Sequence, residues 1–557
     1  MASLAFQASQ AFLALLIFML KLLNSQSKSI TGAALIIAGA TLASRIVGLL
    51  RDRVFAHNFG VGPVMDAYYA AFKIPDLVYN LLIVGALSAG FIPTFTKLFT
   101  TSDGDKSTAW KLANNVLNIT AATLLVLSAL GVIFAPYYAP LIAPGFGEYP
   151  RQLVVQFTRI MFGSTFLLGL SMVIGGILQS LKAFFLYSLA PIFYNLGIIL
   201  GVVIFVPWFG ISGIAWGVVA GAAMHFGIQT YSAYANGYRW QWIFNLKDKN
   251  TKIIGRLMIP RTLGLALNQL NLVIVTILAS TLPAGSVAVF NFANNLQGVP
   301  VGIIGIAFAL AVFPVLSAAV ARDDEAEFIK NLSATMRQII FLIIPLSIII
   351  MLLRAQIVRV VLGTGEFDWN ATINTADALA LFSLSLFAQS LIPLFARAFY
   401  AMSNTKTPFI IGVISELITI IASLLLMKPL GVAGLALAFS IGSIINLVIL
   451  YVALRGITGN IDEDRIFSSL FKIAAAALPM ALVIQYLKYP LAKIFNLDYF
   501  GGVLGQGLLA SLAGLVIYIL ICYLLKVPEL LQLKEALARR WLQTKNLPTA
   551  ESISNNE

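Results

Sequence analysis

Residues 507–525 read GLLASLAGLVIYILICYLL, a run of nineteen residues without a charged side chain. An α-helix of about 20 residues crosses the hydrocarbon core of a bilayer, so this run has the length of one membrane span. Shorter apolar runs occur at 124–135 and 341–353. Because none of them alternates between apolar and polar residues, as the strands of an outer-membrane barrel do, we predict an all-α, polytopic membrane protein.

The composition of the whole chain supports this prediction. Of 557 residues, 59% are hydrophobic and 11% are charged, and the mean hydropathy is +0.91. Soluble domains carry about 25% charged residues, so this chain has too few charges to cover a surface in water. The single cysteine, Cys522, can form no internal disulfide, and His57 and His225 are far apart in the sequence. The sequence therefore predicts no metal site and no cofactor.

About fourteen membrane spans are predicted along the chain, using a window of about 20 residues. Their approximate positions are 30–50, 65–95, 112–136, 153–180, 185–207, 211–233, 256–281, 286–317, 335–353, 375–402, 408–427, 432–453, 467–487 and 501–525. Residues 1–28 form a predicted N-terminal extension, either an interfacial helix or a signal-like segment. Its apolar part, 12–23, is short for a span and contains Lys21.

Basic residues between the spans predict the orientation, because cytoplasmic loops carry an excess of Lys and Arg. With a cytoplasmic N-terminus, the cytoplasmic connections and tail hold Lys97, Lys106, Lys111, Lys182, Arg239, Lys247, Lys249, Lys252, Arg322, Lys330, Lys406, Arg455, Arg465, Lys526, Lys534, Arg539, Arg540 and Lys545. The opposite side holds fewer, namely Arg51, Arg53, Arg151, Arg354, Arg359, Lys428, Lys488 and Lys493. Topology thus explains the net charge of +13 better than nucleic-acid binding does. Both termini are predicted to be cytoplasmic.

The two halves of the chain repeat each other at an offset of 221 residues. The positions that recur are Gly210, Gly213, Ala215 and Gly221 as Gly431, Gly434, Ala436 and Gly442, with 41–42 as 262–263 and 91–93 as 312–314. Each half holds about six spans, and an even number gives both halves the same orientation. We predict two six-helix lobes, 29–235 and 250–456, then helices 13 and 14 at 465–527 and a cytoplasmic tail at 528–557. Two lobes around a cleft are typical of alternating access.

Ionisable residues at predicted membrane depth concentrate in the first two spans. These residues are Arg45, Arg51, Asp52, Arg53, Asp66, Lys73 and Asp76. Each costs about 2.5–3.5 kcal/mol to insert, so such groups usually face a water-filled cavity or a partner. Arg45 and Asp52 are seven residues apart, as are Asp66 and Lys73, which places each pair on roughly one helical face. They form either a cationic wall that binds an anion such as a diphosphate or ion pairs that close the extracytoplasmic end.

Polar residues in the later spans also allow two interpretations. Span eight contains Asn291, Asn294, Asn295 and Gln297, and amides either line a sugar-binding cavity or hydrogen-bond neighbouring helices. Glu416 in span eleven is either a proton-coupling site or a structurally paired group. No Walker A loop, nucleophile elbow or H-E-x-x-H helix occurs, so we do not expect an enzyme.

Several motifs carry a resemblance to a known family. They are TLASRIVGLLRD at 41–52, FGVG at 59–62, DAYYAAFKIP at 66–75, GALSAGFIP at 85–93, ARAFY at 396–400 and NTKTP at 404–408. From about residue 29 to 527 the chain resembles the MurJ/MviN family of the multidrug/oligosaccharidyl-lipid/polysaccharide exporter superfamily. The resemblance implies twelve core helices in two lobes, and two more helices that form a lipid groove. It also implies flipping of lipid II from the cytoplasmic to the outer leaflet of the bacterial inner membrane, for cell-wall synthesis.

The resemblance also implies roles for individual residues. Arg45 and Arg51 match arginines of the cavity and its gate, while Asp66 and Ser286 match the two facing sides of that gate. Lys73, which the sequence places at membrane depth, is added to the predicted substrate site. Asn295 is included because it stands where the family has a functional arginine. The implied partners are lipid II, membrane lipids and cell-wall synthesis proteins.

The chain departs from the family pattern at several positions, and these departures keep alternatives open. Tyr79-Asn80 replace basic residues, Val84 replaces an acidic residue, and Val275 stands where some members carry a sodium-ligating aspartate. The alternatives are a flippase for another polyprenyl-linked glycan, a drug exporter, a membrane-embedded glycosyltransferase or a scaffold. An exporter of cations needs deep acidic residues, which are few, and the loop 365–368 is a poor match to a glycosyltransferase motif.

Overall fold

The computed structural model of the chain describes residues 30–81, 90–101 and 106–532. Within these ranges every regular element is a helix. The predicted N-terminal extension, 1–28, and the tail beyond residue 532 lie outside the described residues.

Nine α-helices lie in the described part of the first half. They are α1 Ile30–Phe59, α2 Pro63–Ala71, α3 Lys73–Tyr79, α4 Ile92–Thr101, α5 Ser107–Ile142, α6 Glu148–Ser180, α7 Phe184–Leu200, α8 Val206–Phe209 and α9 Gly213–Ala235. A π-helical turn, Gly201–Phe205, joins α7 to α8, and a 3₁₀ turn, Gly210–Ser212, precedes α9. Pro63 begins α2, where its missing N–H group would have had no helical partner.

Ten more α-helices complete the described chain. They are α10 Lys249–Ser280, α11 Ser286–Pro300, α12 Ala307–Ala321, α13 Glu325–Leu352, α14 Arg354–Val361, α15 Trp369–Ser383, α16 Leu386–Ala401, α17 Lys406–Thr458, α18 Glu463–Ile494 and α19 Phe500–Leu524. A π-helical turn, Val301–Ile306, joins α11 to α12. Asp248 and Asp324 cap α10 and α13, because their carboxylates accept backbone N–H groups of the first turn.

Many of these helices are long and apolar enough to span a membrane. The described residues contain eight such helical segments, or nine if α15 and α16, bent by 47°, form one span. Two of the eight, Phe184–Ala235 and Lys406–Thr458, each cover two predicted spans. Helices also cover the described parts of the predicted spans 30–50, 65–95 and 256–281. The prediction of an all-α, polytopic membrane protein is confirmed.

The internal repeat is visible in the helix boundaries. Helix α6 begins at Glu148 and ends at Ser180, while the bent pair α15–α16 begins at Trp369 and ends at Ala401. Both differences, 369 − 148 and 401 − 180, equal 221. Helices α1 and α10 end at Phe59 and Ser280, which are separated by the same offset. The two halves therefore use the same succession of helices.

Unusual backbone conformations recur at the same offset. Gly210 and Gly431 have φ of 60° and 58°, and each ends one span and begins the next without a long loop. Lys182 and Ser403 are also 221 residues apart, and both have φ of 60°. Side chains rarely adopt this left-handed conformation, except at turns that require it. The shared strain indicates that the two halves turn in the same way.

Close helix packing is repeated as well. A methyl group on Gly213 would overlap the backbone of Phe205 and Val206, whereas one on Gly434 would overlap Leu426 and Met427. All three pairs of positions differ by 221. Small residues let helix backbones approach closely within a membrane, so the repeated glycines are required by packing.

The described residues form two compact units. The first extends to Phe292 and includes Val361–Ala371 and Ser423–Leu435. The second consists of the remaining described residues. Within the second unit, the Arg337 guanidinium is paired with the Glu529 carboxylate at 2.6 Å, and the Ser469 hydroxyl donates to the other Glu529 oxygen at 2.9 Å. This buried ion pair attaches the chain after α19 to α13 and α18.

Candidate functional site

Asp66 lies in the first turn of α2 and is buried, with 3% of its surface exposed. One carboxylate oxygen accepts the backbone N–H of Gly285 at 2.6 Å, and the other accepts that of Ala288 at 2.8 Å. These N–H groups belong to the start of α11. The N-terminal N–H groups of a helix have no partner within it, and a carboxylate there satisfies them and interacts favourably with the helix dipole. We call this arrangement the cap contact.

Gly285 makes the cap contact possible. Its φ is 94°, and a methyl group there would lie 3.3 Å from the backbone carbon of Val61. The neighbouring Ser286 is buried and donates its hydroxyl hydrogen to the carbonyl of Pro283 at 2.6 Å. The structure thus brings the predicted gate residues Asp66 and Ser286 together. The hydrogen bonds come from the backbone on either side of Ser286 rather than from its hydroxyl.

A second contact joins the end of α1 to the loop before α15. The backbone N–H of Glu366 donates to the carbonyl of His57 at 3.0 Å, and His57 Nδ1 lies 3.0 Å from the hydroxyl of Thr364. Gly60 and Gly365 have φ of 57° and 58°, and a methyl group on either would overlap the backbone opposite. We call this arrangement the loop contact. Sequence reasoning missed it, although the glycines of the motif at 59–62 and of the loop at 365–368 were a usable signal.

Aromatic rings lie near both contacts. Tyr69 of α2 meets Phe292 of α11 edge to face, with ring centroids 5.8 Å apart, and Phe292 meets Phe367 in the same way at 6.1 Å. All three side chains are buried. Edge-to-face pairs contribute about 0.5–1.5 kcal/mol beyond their buried area. This aromatic row links the helix that carries Asp66 with the segment that carries the loop contact.

Arg51 is paired within the first unit. Its Nε and Nη2 donate to one oxygen of Asp52 at 3.0 and 2.7 Å, and its Nη1 donates to the side-chain oxygen of Asn195 at 3.0 Å. Asn195 belongs to α7, so Arg51 ties α1 to α7. The predicted gate role of Arg51 is compatible with this position. As a substrate ligand, Arg51 would have to exchange these bonds for new ones.

The other predicted substrate residues are half-buried. Arg45 precedes Arg51 by six residues on α1, which is about 9 Å along the helix axis. Lys73 begins α3, after a short break at Phe72 that separates it from α2. Asn295 of α11 belongs to the second unit. The structure places Arg45, Arg51 and Lys73 in one unit but does not group Asn295 with them.

Amides and hydroxyls of the second unit form a chain of hydrogen bonds. Gln297 donates to Asn294 at 3.0 Å, and Gln389 donates both to Gln297 at 2.8 Å and to Ser385 at 2.9 Å. The Ser385 and Ser440 hydroxyls are 2.8 Å apart. One amide of α11, that of Gln297, therefore hydrogen-bonds a neighbouring helix, as one of the two sequence interpretations proposed. Within residues 30–81, 90–101 and 106–532, no three His, Cys, Asp or Glu side chains are grouped so as to hold a metal ion.

Comparison with known proteins identifies relatives of this chain. The sequence profile of the family described as "Lipid II flippase MurJ" matches residues 55–500. The "Probable lipid II flippase MurJ" of Buchnera aphidicola subsp. Schizaphis graminum is 29% identical over 494 residues, 87% of this chain and 95% of the relative. That of Rhizobium tropici is 30% identical over 434 residues, 75% of this chain and 79% of the relative.

Solved structures share the fold. A structure titled "Lipid II flippase MurJ, inward closed conformation" covers 88% of this chain and 98% of its own, with a TM-score of 0.72 and 24% identity. An inward-facing multidrug resistance MATE transporter of the MOP superfamily covers 77% of this chain and 99% of its own, with a TM-score of 0.62 and 17% identity. The matched range 55–500 contains both the cap contact and the loop contact.

Proposed function

The chain belongs to the MurJ family of lipid II flippases, and on this basis we propose that it moves lipid II from the cytoplasmic to the outer leaflet. Lipid II is the undecaprenyl-diphosphate-linked precursor of peptidoglycan, so the cargo combines an anionic diphosphate with a prenyl chain. We further propose that the lobes 29–235 and 250–456 are the moving bodies. In this proposal helices 465–527 adjoin the prenyl chain, and both termini lie in the cytoplasm, including the tail 528–557.

The observation that carries this proposal is the cap contact. Asp66 comes from the proposed N-lobe, and Gly285 and Ala288 come from the proposed C-lobe. With a cytoplasmic N-terminus, α1 ends on the extracytoplasmic side, and so both the cap contact and the loop contact lie there. A flippase must open this side to release its cargo and close it to load the next molecule. Two hydrogen bonds to one carboxylate can break and form again without any covalent change.

Cargo binding is assigned to cationic residues of α1 and α3. Arg45 and Lys73 are half-buried, and a guanidinium can donate two parallel hydrogen bonds to a phosphate. Asn295 is a candidate for the sugar or peptide part, since an amide donates and accepts hydrogen bonds without a charge. A membrane potential that is negative inside favours outward movement of an anion, by about 2.3 kcal/mol per charge for each 100 mV.

Complementation tests the proposal directly. A bacterium depleted of its own lipid II flippase is supplied with this protein, and lipid II is measured by its accessibility at the outer leaflet. We expect the wild-type protein to restore accessibility and Arg45→Ala to abolish it. Arg322→Ala is the matched control, because it also removes an arginine but one that is 61% exposed and paired with Glu327 on a surface. A well-expressed wild-type protein that leaves lipid II inaccessible would contradict the proposal.

A further inference from the structure

Residues 238–246, which follow α9, are fixed along α5 by three buried asparagines. The first, Asn114, accepts hydrogen bonds from the backbone N–H of Gln241 at 2.9 Å and from the Tyr238 hydroxyl at 2.8 Å. Its amide donates to the carbonyl of Arg239 at 3.0 Å. These bonds hold the segment against the helix mainly by its backbone.

The other two asparagines continue the attachment. Asn115 exchanges two hydrogen bonds with the backbone of Asn245, at 2.6 and 2.9 Å. Asn118 donates to the carbonyl of Ile243 at 2.9 Å and accepts from the indole N–H of Trp240 at 3.1 Å. All three asparagines are less than 5% exposed, in a helix that is otherwise long and apolar. Polar groups within a span are costly, so they indicate that the position of this segment matters.

From residue 240 to residue 246, every second residue has a large apolar side chain that is exposed. The exposed fractions are 51% for Trp240, 74% for Trp242, 48% for Phe244 and 60% for Leu246. The two indole rings meet edge to face, with centroids 6.2 Å apart, and so form one surface. Tryptophan is enriched where a membrane meets water, because its ring is apolar and its N–H is polar.

Basic residues lie on both sides of these apolar residues in the sequence. The exposed basic residues of this region are Arg239, Lys247, Lys249, Lys252 and Arg256. Between residues 239 and 256 the one acidic residue is Asp248. Its carboxylate accepts the backbone N–H of Thr251 at 2.7 Å as the cap of α10. The region is therefore strongly cationic, and its single acidic residue, Asp248, already serves as the N-cap of α10.

We propose that residues 239–256 form a binding site for anionic phospholipid at the cytoplasmic surface of the membrane. Trp240, Trp242, Phe244 and Leu246 lie at the boundary between headgroups and acyl chains, and the cations bind headgroup phosphates. The site occupies the connection between the two proposed lobes. It requires only that this connection lies at the membrane surface, so it does not depend on which lipid the protein transports.

Two observations favour a lipid surface over a protein partner. The exposed apolar side chains continue onto both neighbouring membrane helices, with Tyr231 and Tyr234 on α9 and Ile253 and Leu257 on α10. The cations complement the anionic lipids of a cytoplasmic leaflet, which attract basic segments next to membrane spans. A patch bound by a protein would not be expected to merge with the lipid-facing surface.

Site-directed spin labelling tests the depth of the segment. The native Cys522, the chain's single cysteine, is replaced by serine, and a spin label is attached to Trp242→Cys in bilayers containing phosphatidylglycerol. We expect the label to be accessible to oxygen and shielded from a water-soluble relaxant. The control within the bilayer is Leu512→Cys on α19, where the leucine is 55% exposed. The control in water is Glu325→Cys, at the exposed start of α13. A label at 242 as accessible to water as one at 325 overturns the proposal.

Lipid selectivity tests whether the cations of the segment bind anionic headgroups. We measure how strongly the purified full-length protein restricts the motion of spin-labelled phosphatidylglycerol relative to that of spin-labelled phosphatidylcholine. Each cation near an anionic surface contributes about fivefold to binding. The triple variant Lys247→Gln/Lys249→Gln/Lys252→Gln should therefore lose at least about tenfold in selectivity. Equal removal of Arg322, Lys330 and Lys406, which are predicted cytoplasmic cations outside this segment, should lower the selectivity much less. Unchanged selectivity in the first variant, or an equal loss in both, overturns the proposal, and neither outcome bears on transport.

Discussion

Two charged residues, Arg51 in the C-terminal half of α1 and Asp66 in the first turn of α2, differ in the kind of partner that satisfies them. Arg51 finds its partners on its own helix and on α7, through Asp52 and Asn195. The Asp66 carboxylate instead accepts hydrogen bonds at a helix start, where Gly285 and Ala288 supply two N–H groups. Both groups are therefore satisfied without a ligand. Of the two, Asp66 is the one that holds together segments from different proposed lobes.

Asp66→Asn should weaken the closed extracytoplasmic side. An amide offers one acceptor oxygen instead of two and carries no charge, and hydrogen bonds to charged groups contribute about 1.5–3 kcal/mol. We expect a Ser286→Cys reporter, in a Cys522→Ser background, to react at least about tenfold faster with an impermeant maleimide added from outside. Asp498→Asn, at an exposed carboxylate between α18 and α19, is the control. Equal rates in the two variants would argue against a gate at Asp66.

Gly60→Ala and Gly62→Ala should differ sharply although they are two residues apart. Gly60 has φ of 57° and faces the backbone of Glu366, whereas Gly62 is extended and has open space around it. Left-handed φ costs a residue with a Cβ about 1–2 kcal/mol, and the overlap adds to this. We expect Gly60→Ala to lower the thermal midpoint of the purified protein and raise labelling at Ser286→Cys. A similar effect at Gly62→Ala would mean that the loop contact is not responsible.

At the scale of helices, the two halves share a plan but differ in detail. Helix α6 is continuous, whereas its counterpart is broken into α15 and α16 with a bend of 47°. The turns at Gly210 and Gly431 are nearly identical. The two halves therefore share the order of their helices but not their straightness. Helix α5 also holds the segment 238–246 through its three asparagines.

Asn118→Ala should loosen that segment without unfolding α5. The substitution removes the hydrogen bonds to the carbonyls of Gln241 and Ile243 and from the indole N–H of Trp240, each of which contributes about 0.5–1.5 kcal/mol net. We expect faster hydrogen exchange across 239–245 and little change elsewhere. Asn331→Ala is the control, because the Asn331 amide bonds only one turn back on its own helix, to Glu327. Equal protection in wild type and Asn118→Ala would disprove the anchoring role.

At the scale of the whole molecule, long-range contacts connect distant segments of the chain within each compact unit. The first compact unit combines the first half of the chain with 361–371 and 423–435 from the second half. The cap contact and the loop contact lie within it. In the second unit, the Arg337–Glu529 pair joins the end of the described chain to α13. Residues far apart in sequence therefore hold each unit together.

Locking the loop contact should stop transport. His57 Nδ1 and Thr364 Oγ1 are 3.0 Å apart, so the two side chains meet at the loop contact, and a His57→Cys/Thr364→Cys pair in a Cys522→Ser background tests whether a disulfide can lock it. We expect oxidation to abolish the appearance of lipid II at the outer leaflet and a reductant to restore it. Each single-cysteine variant, treated with the same oxidant, is the control. A fully cross-linked protein that still transports would show that this contact need not open.

The sequence by itself determined the all-α membrane architecture, the helix order and the repeat, because span length and hydropathy are local properties of the chain. It also marked Asp66 and Ser286 as neighbours, through resemblance to a family. Only the tertiary structure decided that Asp66 caps α11 through Gly285 and Ala288, which follow it by 219 and 222 residues. It likewise decided that Asn115 and Asn118 hold a distant backbone segment. Such partners depend on how helices pack against one another, and a polar residue's own neighbours in sequence carry no record of that packing.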